Sequence, residues 1–118
     1  MKKKTSDDSA FHTGDETDQC EHVGFRYKKS SVKIHILQTG ENEWCISCRI
    51  ATNNSGYGFG MSKKTHVYLS RDAAFFAAVQ VVKEYIRGEL SYSNTDEKID
   101  HCRKILAWVD AQYQMVLL

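Results

Sequence analysis

From residue 25 onward, apolar and polar residues alternate with period two, and from residue 71 apolar residues recur at three- and four-residue steps. The first pattern is that of half-buried strands and the second that of amphipathic helices. Phe25 and Tyr27 alternate with Arg26 and Lys28, and Val32, Ile34 and Ile36 alternate with Lys33 and His35. This is one long strand broken at Ser30-Ser31, or two strands. Residues 39–43 are polar, contain Gly40 and have the length of a hairpin connection. Trp44, Ile46, Cys48 and Ile50 then fall on one face, and Cys45, Ser47, Arg49 and Ala51 on the other. A one-residue slip would exchange those faces, so the register is well specified. After the turn residues 53–56, Tyr57, Phe59 and Met61 alternate with Gly58 and Gly60, which predicts a last strand with rings on one face and almost nothing on the other.

Residues 62–69 read as a connector. Ser70 is a good N-cap and Asp72 suits the first turn of a helix over 71–87, with Gly88 as its stop. Phe75, Val79, Val82 and Ile86 line one stripe, and the neighbouring alanines permit close packing on a sheet. Asn94 and Glu97 form a capping-box pattern before a second helix. Its apolar row runs through Ile99, Cys102, Leu106, Val109, Tyr113 and Val116. A second row of Ile105, Trp108 and Met115 widens the apolar surface beyond one face. The helix is then either clamped between two layers or meets another chain with part of that surface. On the second alternative Ile105, Trp108 and Met115 are candidate contacts for a protein partner or a second copy of the chain, and the protein is an interaction module such as a small regulator or inhibitor of the kind carried by mobile genetic elements. Strands followed by helices predict an α+β fold: a three- or four-stranded antiparallel sheet followed by two C-terminal helices packed on one face. Residues 1–24 are polar, carry both charges and hold one aromatic, Phe11, so they are expected to form a mobile arm. Residues 25–118 form the single domain.

Composition narrows the function. The 118 residues are enough for one domain, and a net charge of +1 excludes a general nucleic-acid coat or a polybasic membrane sensor. No apolar run is long enough to cross a membrane. The basic start leads into polar residues and not into an apolar signal core, so the expected compartment is the cytoplasm, with the four cysteines as thiols. Proline is absent, so turns fall to glycine, asparagine and serine.

Candidate chemistry is sparse. Cys45 and Cys48 have a zinc-like spacing, but on a strand residues three apart point to opposite faces, so neither a metal nor a cofactor is expected. The five histidines do not assemble with any nucleophile in a recognisable pattern, and no phosphate-binding or nucleophile-elbow motif is present. The chain is therefore expected to be a non-enzymatic binding module. From Trp44 to Arg71 there is no acidic side chain, while Arg49, Lys63, Lys64 and Arg71 are basic. With Tyr57, Phe59 and His66 these residues form the one local basic and aromatic patch, which suits contact with a nucleic acid through phosphates and base faces.

Gly58-Phe59-Gly60-Met61-Ser62-Lys63-Lys64, followed by the alanine-rich residues 73–78, resembles the last strand and helix of a double-stranded RNA-binding domain. The resemblance covers about the middle third of the chain. It implies that Lys63 and Lys64 touch phosphates from the opening of the helix. The chain departs from that family in the residues inserted at 65–70, in lacking a first helix before the sheet, and in its long final helix.

Overall fold

The computed structural model describes residues 8–15, 20–52, 56–59, 67–92 and 95–117; for 8–15, Phe59 and 115–117 only the backbone is described. The elements are β1 (Asp8–Asp15), β2 (Cys20–Tyr27), β3 (Ser30–Gly40), β4 (Glu43–Ala51), β5 (Gly56–Phe59), α1 (Arg71–Ser91) and α2 (Asp96–Leu117). The strands form one antiparallel sheet in sequence order, each paired with the next. The α+β class and the two C-terminal helices on the sheet are as expected, with five strands in place of three or four.

The added strand comes from the segment read as a mobile arm. β1 pairs with β2 along its whole length, from Asp8 opposite Tyr27 to Asp15 opposite Cys20, and β2 itself begins before residue 25. The polar sequence hid this strand because an edge strand is held by its backbone ladder and does not require an alternating apolar face. Nor is there one strand broken at Ser30-Ser31. The chain turns at Lys28-Lys29, with Tyr27 opposite Ser30. Lys28 has a φ of 54°, a left-handed position that glycine or asparagine more often fills. At the next hairpin the register shifts between Gln38 and Gly40, and the Gln38 side-chain amide donates to the carbonyls of Gly40 and Glu41.

The predicted alternation sets the core. Val23, Phe25 and Tyr27, then Val32, Ile34 and Ile36, then Ile46, Cys48 and Ile50 are all buried on one face of the sheet. Ala74, Phe75, Ala78, Val79, Val82 and Ile86 of α1, with Cys102, Ile105, Trp108 and Val109 of α2, close that face. Ser70 caps α1 by accepting from the Ala73 amide. The helix continues past Gly88 to Ser91, because half-buried Leu90 packs on the core and outweighs the stop signal at the glycine. The start of α2 is capped by Thr95, whose hydroxyl accepts from the Lys98 amide at 3.3 Å. Asn94, the expected cap, lies outside the described residues.

A polar cluster joins sheet and helix, with Ser30 and His101 buried and Asp100 at its half-buried edge. Ser30, fully buried, shares a hydrogen bond with Nδ1 of His101, which is also buried. The His101 ring lies edge-on to Tyr27, with ring centroids 5.1 Å apart. The Tyr27 hydroxyl donates to Asp100, a bond that holds the Asp100 carboxyl below its ordinary range and raises the Tyr27 phenol above its own. Serine and histidine meet here without access for a substrate, so the pair is structural.

Candidate nucleic-acid interface

The helices cover one face of the sheet, and the basic chemistry lies on the other. Register assembles that face in rows. His22 of β2 is opposite His35 of β3, which is opposite Ser47 of β4. The next row runs Gly24, Lys33, Arg49 and Gly58 across four strands. The third runs Arg26, Ser31, Ala51 and Gly56. A groove of about 750 Å³ lies over the β3, β4 and β5 members of these rows, lined by Lys33, His35, Ser47, Arg49, Tyr57 and Gly58 among others.

Lys33 and Arg49 are exposed and directly opposite each other, and neither has an ion-pair partner among the described residues. Like charges at directly opposed positions disfavour the sheet, typically by a fraction of a kcal/mol. Here the pair stands between two glycines, the buried Gly24 and the exposed Gly58, and the row is open on the Gly58 side. A Cβ at Gly58 would come within 3.0 Å of the Cys48 carbonyl oxygen, so a side chain there would strain the β4–β5 ladder as well as fill the groove. His22 and His35 add an edge-to-face pair of imidazoles with centroids 4.2 Å apart. Burial holds His35 below the usual imidazole range, and the nearby His22, Lys33 and Arg49 push it the same way.

The residues of the sequence-derived patch separate on this framework. Arg49 belongs to the groove. Tyr57 is opposite Ile50, on the helix side, where its ring stacks on Tyr85 at 5.3 Å; being on the edge strand it is still 47 % exposed and reaches the groove's rim. The Phe59 backbone pairs with Cys48. Arg71 is a correction to the patch. It starts α1, donates to the Glu21 carboxylate through two nitrogens, contacts Asp72 at 3.2 Å, and lies 4.9 Å over the Phe75 ring. Hydrogen bonding to Glu21 holds its guanidinium charged, and the same carboxylate neutralises it. Lys63, Lys64 and His66 lie outside the described residues. The chain rejoins the sheet edge at Tyr68, which exchanges backbone bonds with Trp44. α1 begins only after that, so the helix opening implied for Lys63 and Lys64 by the RNA-binding resemblance is occupied by Ser70 and Arg71.

The candidate protein interface also changes. Ile105 is fully buried and Trp108 is 6 % exposed, with its ring stacked on Phe25 at 6.0 Å. The second apolar row of α2 is core, because α2 packs against both α1 and β2. The Met115 side chain lies outside the described part of the structure. Cys45 and Cys48 lie on opposite faces; burial pushes the Cys48 thiol up to about 12. Among the described residues no three histidines, cysteines or acids are placed to hold a metal, and no described helix is long and apolar enough to cross a membrane.

Sequence reading finds Arg49 but gives no binding role to Lys33, His22, Gly24 or His35. Lys33 and His35 are legible as outward positions. Their alignment with Arg49 and Ser47 needs the turn at Lys28-Lys29 and the bulge at residues 38–40, which fix the register. The chain matches no family model, no curated protein and no solved structure.

Proposed function

We propose that this protein is a small non-enzymatic binding module that takes a nucleic-acid strand on the outer face of its sheet. The observation that carries this reading is the Lys33–Arg49 pair: two exposed cations directly across from each other, with no ion-pair partner among the described residues, the Arg49 side bordered in the groove by Gly58. Such a pair persists at a small expense in stability, and a phosphate is the group that would relieve it. Ser47 and the imidazoles offer hydrogen bonds beside it, and Tyr57 offers a ring edge at the rim. Phosphate contact dominates the affinity and carries little sequence information, so the expected ligand is bound with strong salt dependence. Lys63 and Lys64 supply further charge to the same ligand on this reading.

Fluorescence anisotropy with labelled single- and double-stranded oligonucleotides across a salt series tests it. The double variant Lys33→Ala with Arg49→Ala should bind more weakly. For a single strand its log-affinity against log-salt slope should be shallower by about 1.4, at about 0.7 for each phosphate that is no longer neutralised. Lys63→Ala with Lys64→Ala should weaken binding further. Absence of binding to every oligonucleotide at low salt, or unchanged binding by the folded Lys33/Arg49 variant, would overturn the reading.

A further inference from the structure

The outer face holds more positive potential than the Lys33–Arg49 pair alone. His22 and His35 form the adjacent cross-strand row, two residues along each strand from Gly24 and Lys33. Strand geometry places that row about 7 Å from the Lys33–Arg49 row, close enough for both to act on neighbouring phosphates of one strand. The groups facing the two imidazoles can be named element by element. β3 contributes Lys33 and β4 contributes Arg49, Ser47 and, one row further, Cys45. β2 contributes Arg26 and Cys20 at either end. β1 places Thr13 opposite His22 and Asp15 opposite Cys20, as register positions only.

The imidazole edge contact and the two flanking cations have one electrostatic consequence. Protonating either ring brings a third positive charge into the cluster, and neither imidazole has a hydrogen-bond or ion-pair partner among the described residues. An anion is the missing counter-charge. Resting on the reading of the outer face as a nucleic-acid site, we infer that the His22–His35 pair, of which His35 lines the groove and His22 adjoins it, is a second, proton-coupled phosphate subsite. A phosphate bound there favours the imidazolium form and accepts hydrogen bonds from it, so binding takes up protons from solvent. The sign follows from His35, whose charged form is disfavoured in the free protein by burial first and by His22, Lys33 and Arg49 after that. A neutral His35 contributes little charge, and affinity for the strand climbs as the pH falls below the ordinary histidine range. Each imidazolium acts as one more phosphate-neutralising charge. At about 0.1 M salt that is worth about fivefold in affinity, because the single-strand slope is about 0.7 for each phosphate neutralised.

The experiment uses the full chain and a fluorescein-labelled oligothymidylate of about 20 nucleotides, long enough to span one small domain. Anisotropy titrations at about pH 8 and about pH 5.5, at fixed ionic strength, should show binding about five- to twentyfold tighter in acid with a steeper salt slope. His22→Gln with His35→Gln should remove that ratio. Calorimetry near pH 6.5 in two buffers of different ionisation enthalpy reads proton uptake directly on the wild-type protein, without relying on the folding of a variant. Peak uptake of about 0.4–0.7 proton per strand bound is the expected value for a five- to twentyfold ratio. Binding that is equal at both pH values, a double variant that keeps the full ratio, or zero proton uptake would overturn the inference while leaving the nucleic-acid reading in place. Binding at neither pH would overturn the nucleic-acid reading itself.

Discussion

Replacing Trp108 by alanine is expected to destabilise the protein by about 3–5 kcal/mol in urea unfolding, with no change in the mass of the species seen by light scattering. The indole is 6 % exposed and stacks on Phe25, inside the core cluster where α2 meets β2. Truncation removes its transfer free energy and leaves a cavity beside Phe25 in a closely packed core. A domain of this size is stable by only about 5–15 kcal/mol, so such a change is a large share. If Trp108 were a docking residue, the same variant would change association and leave the unfolding midpoint nearly where it was.

Ser30→Ala is expected to lower stability by about 1–3 kcal/mol, well beyond the effect of removing a hydroxyl from the surface. Ser30 satisfies Nδ1 of buried His101, and Nε2 of that ring has no partner among the described residues. Removing the serine hydroxyl strands both nitrogens in a site that water does not reach. The corollary separates this from a simple packing effect. Ser30→Ala combined with His101→Met removes donor and acceptor together, so the double variant should be less destabilised than the two single changes add up to. A double-mutant cycle by urea unfolding reads the coupling.

The two expectations concern residues that the sequence presents in opposite ways. Trp108 is visible as apolar, but the sequence leaves open whether it is clamped between two layers or meets another chain, because one helix read alone cannot show how many neighbours it has. Here α2 touches both α1 and the sheet, and its second apolar row at Ile105 and Trp108 is occupied by the core. Ser30 looks like part of a strand break, and only the pairing of Tyr27 with Ser30 puts it at the start of β3, against His101. The α+β class, the inward faces of β3 and β4, and the cap at Ser70 follow directly from periodicity and turn chemistry. β1 does not, because a backbone ladder leaves no hydrophobic signature in a polar sequence.

The candidate site is half legible for a similar reason. Acid-free sequence between Trp44 and Arg71 draws attention to charges that are neighbours along the chain. The fold divides them: Arg49 faces the groove, and Arg71 is neutralised by Glu21 at the start of α1. The residues that join Arg49, namely Lys33 and the His22–His35 pair, arrive from two other strands. Cross-strand juxtaposition is a property of register, and periodicity alone specifies register only in part until the hairpins are known.

The central claim is that the outer sheet face, and not the helical side, receives a nucleic-acid strand. Amide chemical-shift mapping by NMR during titration with a single-stranded oligonucleotide tests it most directly. The account predicts shifts concentrated at Lys33, His35, Ser47, Arg49 and Gly58, fading with added salt, with the helix positions Gln80, Glu84, Arg87 and Asp110 unmoved. Shifts centred on α1 and α2, or no salt-sensitive shifts on the sheet at all, would contradict it.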